Sequence, residues 1–492
     1  METKYSAFAK IPVAEFWKAC LIIASTIISI MTQHSAQQFR TRAMGLAVMS
    51  SLVSKGGNAL LMLVSIPLAF RVLGDEQFGV FGMVQTLMWF ITMSDLGMGP
   101  GITRRIAGAV ARGDRAGETA AVSCGFFITM GFSLVSGTLF AAVMLSVPVT
   151  TLFGEKFATV APELTRNLWL AGGIFLVMLV VNMLERSREG YQEIHIGNVF
   201  GATQNVVAAG LLFFGVHHWP TVTFLMLSIY GVQAIAMTAN VTHLLWHRPW
   251  LRPRWSRMES GLARRMIGEG LALFLAGSAA PIFQREGTKW LLGQMEGPGA
   301  VGRYTIMIQL GFFLYGFVFM LSRPLWPAVA DAVARGDLAW VRAARARMLR
   351  WFLPLAGMVV AGFTLLGPWL ADRWLGKHVE LRQSDFALFS LSFILMVWSH
   401  LHYVLLAGGG VIRRPAVVLG LETVAVLLLA SFGIHHYGLS GALAGNAVGV
   451  MLFSAWLLPG MLRKFLRPAG PGVPKEAGDF PAAEGAAPQT PA

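Results

Sequence analysis

Stretches of about 20 consecutive, mostly apolar residues recur along almost the whole chain. An α-helix needs about that many residues to cross the hydrocarbon core of a bilayer. Lipid offers the backbone no hydrogen-bond partners, so each stretch must satisfy itself as a helix. The stretches fall at 46–70, 78–97, 120–147, 167–184, 197–216, 221–246, 269–293, 304–322, 351–371, 385–407, 414–434 and 439–461. The expected fold class is an all-α polytopic membrane protein of about twelve transmembrane helices.

Composition agrees. Of the 492 residues 55% are hydrophobic and 13% charged, whereas soluble domains hold about 25% charged residues. The 54 glycines suit close helix contacts in lipid. Cys20 and Cys124 lie in apolar surroundings with no Cys or His at ligand spacing, which excludes a disulfide scaffold and a zinc site. No metal and no cofactor is expected.

The net charge of +14 is distributed by side. Alternate connections are rich in arginine: Arg104, Arg105, Arg112 and Arg115; then Arg248, Arg252, Arg254, Arg257, Arg264 and Arg265; then Arg335, Arg342, Arg345, Arg347 and Arg350. Positive charge stays cytoplasmic, so both ends of the twelve-helix unit are expected inside a bacterial inner membrane. The basic loops bring no soluble domain, which argues against nucleic acid. The segment 338–351, with Trp340 and Trp351 among its arginines, reads as a basic interfacial helix. Residues 1–44 are unassigned. Their apolar run 19–31 is short for a span, and a signal-like segment or a start at Met31 or Met44 are alternatives. Residues 466–492 read as a disordered cytoplasmic tail.

The hexamer AVARGD occurs at Ala109–Asp114 and again at Ala332–Asp337, an offset of 223 residues. Leu73-Gly74, followed by Gly79 and Phe81, pairs with Leu292-Gly293, followed by Gly302 and Tyr304; Phe153–Lys156 pairs with Leu375–His378. Six helices separate the copies, so the halves insert with one orientation as a parallel repeat. The expected organisation is an N-lobe at 45–246, a basic linker at 247–268 and a C-lobe at 269–465. Transporters of this build place substrate between the halves and rock them.

The loops carry a resemblance. The run Arg71–Phe81, the sequence Ser94-Asp95-Leu96-Gly97 with Arg104-Arg105 and Gly113-Asp114 behind it, and Tyr437–Ala444 resemble, in order and spacing, the Wzx-type O-antigen and exopolysaccharide flippases of the MATE/MOP superfamily. The likeness covers about 45–465. It implies two six-helix lobes around a central cavity. The implied substrate is an oligosaccharide joined by pyrophosphate to undecaprenol, moved from the inner to the outer leaflet by alternating access. Polymerase or glycosyltransferase partners are implied with it.

A pyrophosphate crossing hydrocarbon requires compensating charge, and ionisable residues inside spans face a cavity or a partner. The densest group is Gln284–Lys289 in the seventh span, behind Pro281. Arg285 and Lys289 share a helix face and are candidate phosphate ligands; the competing reading is a self-neutralising Glu286–Lys289 pair. Arg323 and Lys55 are further phosphate candidates or interface charges. Asp95 and Glu422, with Glu286, are candidate coupling or counter-ion residues. His400 and His402, two apart, point to different faces and cannot share a metal. Gln85, Asn182, Gln204, Asn205, Gln309 and Asn446 are polar span residues whose default role is hydrogen bonding between helices.

No GxxxxGK[ST] phosphate loop appears, which argues against a nucleotide-driven pump. The outer loops are short, which argues against a membrane glycosyltransferase or polymerase. A cation-coupled multidrug or small-molecule exporter of the same superfamily is the principal alternative. It requires an acidic cavity rather than a basic one.

Overall fold

The structure is a computed structural model that describes residues 36–92, 98–277, 279–322, 325–376 and 380–467. Every regular element among them is helical. The N-terminal half comprises α1 (Ala36–Thr92), α2 (Met98–Arg112), α3 (Arg115–Ser146), α4 (Ala161–Gly190), α5 (Ile194–Gly215) and α6 (Val232–His247). Helices α7 (Ser260–Gly277) and α8 (Ala279–Glu296) form the seventh predicted span. They are followed by α9 (Pro298–Ser322), α10 (Leu325–Ala334), α11 (Leu338–Leu375), α12 (Gln383–Gly408), α13 (Arg413–Leu452) and α14 (Ser454–Phe465). Among the described residues, eight helical stretches are long and apolar enough to cross a membrane.

Two of those eight fold back on themselves. In α1 the backbone leaves helical space at Gly74 (φ 81°, ψ 176°), and the Phe70 and Phe78 rings meet edge to face at 5.5 Å. Eight residues of unbroken helix would hold them about 12 Å apart. In α13 the reversal is at Gly438 (φ 55°). A Cβ on Gly441 would lie 1.9 Å from Gly433 O, one on Gly445 2.5 Å from Ala430 N, and one on Gly449 2.2 Å from Val426 Cγ2. Three glycines thus let the limbs of this hairpin approach to backbone contact. Each hairpin supplies two of the predicted spans.

The repeat is visible in the turns. AVARGD builds the same stop-and-start junction twice. Gly113 (φ 67°) and Gly336 (φ 76°) end one helix in left-handed space. The Asp114 and Asp337 amides donate to Ala109 O and Ala332 O. Each Asp side chain then caps the next helix, accepting at 2.8 Å from Gly117 N and from Trp340 N. Gly154 (φ 101°) and Gly376 (φ 70°) also correspond. One pairing read from sequence is corrected. Leu292-Gly293 lies inside α8, and the partner of Gly74 is Gly297 (φ 87°), the turn between α8 and α9. The offset of 223 residues therefore holds there too.

We call the end bearing Gly74 and Gly297 the hairpin end, and the end bearing the arginine-rich connections the basic end. The apolar core differs between them. At the hairpin end one continuous cluster joins both halves, from Phe70, Phe78 and Leu164 to Leu292, Tyr304, Phe386 and Leu443. Toward the basic end it divides into one cluster around Ile102, Ile106, Cys124 and Leu251 and another around Val341, Leu401, Leu458 and Leu462.

The basic linker is built into the first of these. Leu251 is fully buried. Trp250 Nε1 donates to Glu118 Oε2 at 2.8 Å, Tyr191 donates to the same oxygen, and the Arg115 guanidinium stacks on Trp250. Burial, with Glu118 alongside, raises the Tyr191 pKa above the ordinary tyrosine range. Helix α7 also packs on α2, α3 and α13, and α8 packs chiefly on α13. Glu118→Ala leaves two buried donors unpaired, a loss of about 1–3 kcal/mol. Trypsin should then cut at Arg254 or Arg257 faster than in the wild type; an unchanged cleavage rate would show that Glu118 does not hold the linker.

Candidate functional site: the seam between the lobes

The lobes meet along the second limb of α1 and along α9, through contacts related by the repeat. A Cβ on Gly79 would stand 1.8 Å from Pro298 O, and one on Gly302 2.5 Å from Asp75 O. Arg71 donates to Trp374 O and Leu375 O at the end of α11. Its counterpart 223 residues on, Gln294, donates to Thr151 O and Leu152 O. The hairpin end is thus closed by a pseudo-two-fold set of backbone contacts, in which a glycine is required at each closest approach.

Below this closure lies a polar layer. Gln309 donates to Gln85, and Gln85 to Tyr230. The Asn446 amide reaches Tyr304 and accepts from Thr288. Here the seventh span presents its charges. Glu286 is 1% exposed and holds both cations: Arg285 Nε is 2.6 Å from Oε1, and Lys289 Nζ is 2.9 Å from Oε2. Thr86 Oγ1, across the seam, donates to Oε2 at 2.9 Å, and Lys289 also reaches Gly82 O at 3.4 Å. The Arg285 guanidinium lies 4.5 Å from the centre of the Trp89 ring, a cation–π contact worth about 0.5–2 kcal/mol.

The Glu286–Lys289 pair read from sequence is present. Lys289 is fully buried and serves Glu286. Arg285 shares that carboxylate from its more open side, its side chain 16% exposed. Among the described residues two cations thus gather on one carboxylate, with Arg285 on its more exposed side. A planar, permanently charged donor fork suits a phosphate oxygen.

The other candidates lie elsewhere. Asp95 and Arg323 fall outside the described residues. Lys55 sits on helical backbone of α1, and its side chain lies outside them too. Glu422 is 4% exposed and accepts from the Ser454 backbone N–H at 2.9 Å. It caps α14, which restarts after the break at Phe453 (φ −116°, ψ −86°). His400 meets Ser322 and His402 meets Trp398 O, on different faces as expected. No group of three or more His, Cys, Asp or Glu residues able to hold a metal occurs among the described residues. Sequence reasoning missed the buried charges at the basic end of the N-lobe, where Arg188, 2% exposed, pairs with Glu193 at 3.1 Å and Arg248 with Glu193 at 2.5 Å. The available signal was the acid and base alternation of Glu185–Glu193, which reads equally well as an ordinary loop.

The fold is that of known transporters. An inward-facing multidrug resistance MATE family transporter of the MOP superfamily superposes with a TM-score of 0.64 at 13% identity, over 83% of this chain and 94% of that one. Two helical lobes meeting at a polar, charged seam make this a multi-pass membrane protein with the fold of MATE/MOP transporters. Residues 47–333 match the polysaccharide biosynthesis protein family, and the chain belongs to that family; the resemblance to Wzx-type flippases is borne out. Two relatives carry the name "Putative O-antigen transporter". The one from Escherichia coli (strain K12) is 22% identical over 288 residues, 57% of this chain and 63% of its own length, so the match spans less than two thirds of that protein. The one from Salmonella typhi is 21% identical over 429 residues, 83% of this chain and 94% of its own. Relatives and structural neighbours alike bear the names of transporters, in agreement with a carrier rather than an enzyme.

Proposed function

We propose that the chain is a flippase of the bacterial inner membrane. It moves an undecaprenyl-pyrophosphate-linked oligosaccharide from the inner to the outer leaflet for surface polysaccharide assembly, and so works beside the glycosyltransferases and polymerase of that route. The observation that supports this reading is the pair of cations gathered on Glu286 where the two lobes meet. Arg285 and Lys289 share one carboxylate, and Arg285 is the more exposed of the two.

With the basic end in the cytoplasm, the shared core at the hairpin end and the divided cores at the basic end describe a carrier closed outside and parted inside. The diphosphate enters between the lobes and meets Arg285 while the lipid tail stays in the bilayer. Outward rocking breaks the glycine contacts at Gly79 and Gly302 and releases the sugar. Each elementary charge moved across the membrane is worth about 2.3 kcal/mol per 100 mV. A negative interior therefore favours both the outgoing anion and the return of the empty cationic site.

The test is a flux assay with the purified chain in vesicles loaded with lipid-linked oligosaccharide from the producing cell. Wild-type protein should expose the glycan on the opposite face, faster with the potential negative on the loading side. Cation-dependent efflux of organic cations without movement of the lipid would transfer the chain to the multidrug reading.

A further inference from the structure

A second polar space lies inside the N-lobe, away from the seam. It is a crevice of about 340 Å³ toward the basic end, between the Ser54 turn of α1, the last turns of α4, and α5 and α6. That volume falls within the range of small-ligand sites.

Its charged groups are already engaged. Arg186 pairs with Glu189 at 2.6 Å. Glu185 Oε1 accepts from Asn240 Nδ2 at 2.8 Å. Arg188 donates to Asn240 O at 2.8 Å and pairs with Glu193 at 3.1 Å. Asn182, Gln204 and Gln233 line the space, and among the described residues none of the three hydrogen-bonds within the chain. Asn240, fully buried behind Glu185, leaves Oδ1 without a partner. Glycines keep the α5 wall bare: a Cβ on Gly197 would meet Glu185 Oε1 at 3.5 Å, and one on Gly201 would meet Ser54 Oγ at 3.2 Å.

The free valences are thus mainly amides, each with donors and an acceptor, beside the Nε of Arg186 and of Arg188, whose guanidinium charges are already paired. An anion would find both guanidinium groups already paired. A bare cation would lie beside those same two guanidinium groups. A neutral ligand with closely spaced hydroxyl or acylamino groups matches what remains, and Phe200 adds an apolar wall. We propose that this crevice is a saccharide-binding site, which holds sugar units of the lipid-linked substrate while the lobes are parted at the basic end. The inference rests on the flippase reading and adds to it the residues that read the glycan.

The experiment compares two lipids in the vesicle assay: the producing cell's lipid-linked oligosaccharide and the same polyprenyl pyrophosphate without sugar. In the double variant Gln204→Leu/Gln233→Leu, the glycan-bearing lipid should move about tenfold more slowly, the effect of losing hydrogen bonds worth about 1–1.5 kcal/mol. The bare lipid should move as in the wild type. Gln204→Glu, of the same size, guards against a folding defect and should lose the same preference. Equal slowing of both lipids, or slowing of neither, overturns the proposal. If wild-type protein moves neither lipid, the flippase reading fails and binding decides the crevice alone. The probe is then the free repeat-unit oligosaccharide released from the same cell's polysaccharide. Saturable binding that the double variant loses supports the site; no binding, or equal binding, refutes it.

Discussion

Glu286→Gln should cost the protein about 3–5 kcal/mol, the penalty for removing one partner of a buried ion pair. Lys289 is 1% exposed and has Glu286 as its counter-charge. Among the described residues its other partner is Gly82 O, at 3.4 Å. The expected result is a large fall in thermal stability in detergent or nanodiscs. Adding Lys289→Met should restore most of it, because replacing both members of a buried pair by neutral groups of similar size is often close to neutral. The double variant also separates the two cations. It retains Arg285, so it should retain transport. A double variant that folds but carries nothing would make Lys289 a substrate contact and not only the neutraliser of Glu286.

The second large effect is expected at the hairpin end. A side chain at Gly79 would overlap Pro298 O, and one at Gly302 would overlap Asp75 O. Neither obstacle is a flexible side chain, so the helices themselves must part. Overpacking of this kind costs about 1–3 kcal/mol, and it is charged only to the state in which the hairpin end is closed. Gly79→Leu and Gly302→Leu should each bias the carrier toward opening at that end. In a Cys20→Ser background, where the remaining Cys124 is buried, a cysteine at Gln85 reports the change. It should react with an impermeant thiol reagent from the hairpin side about tenfold faster, the factor that about 1.4 kcal/mol produces. Unchanged labelling with native stability would mean that the seam absorbs a side chain, and the closure would lose its proposed role.

The span pattern and the repeat were legible because both are written in local chemistry. Apolar runs of bilayer length have one solution in lipid, and a Gly-Asp pair at a helix junction stops one helix and caps the next. What failed was register where the marker residue is common. A glycine in the interior of α8 looks no different from the turn glycine four residues later. Glu422 read as a candidate coupling residue because an acid in mid-span is costly unless used. In the structure it accepts from the first N–H of α14, a contact invisible in the sequence because nothing there marks the break at Phe453. Gln284–Lys289 stood out as the densest charged run in any span. Whether Glu286 serves Lys289, Arg285 or both depends on how span seven faces Thr86 and Gly82, which is a tertiary fact. The N-lobe crevice was hidden for a similar reason. Asn182 and Gln204 were visible as polar span residues, but four helices must come together before their amides converge.

The central claim is that Arg285 meets the diphosphate between the lobes, and flux of the lipid-linked oligosaccharide in vesicles carrying Arg285→Ala tests it most directly. The account predicts at least a hundredfold loss of rate with stability retained, in keeping with the roughly 3 kcal/mol of a charge-assisted contact, and a partial return with Arg285→Lys. Wild-type flux through a folded Arg285→Ala protein would contradict it.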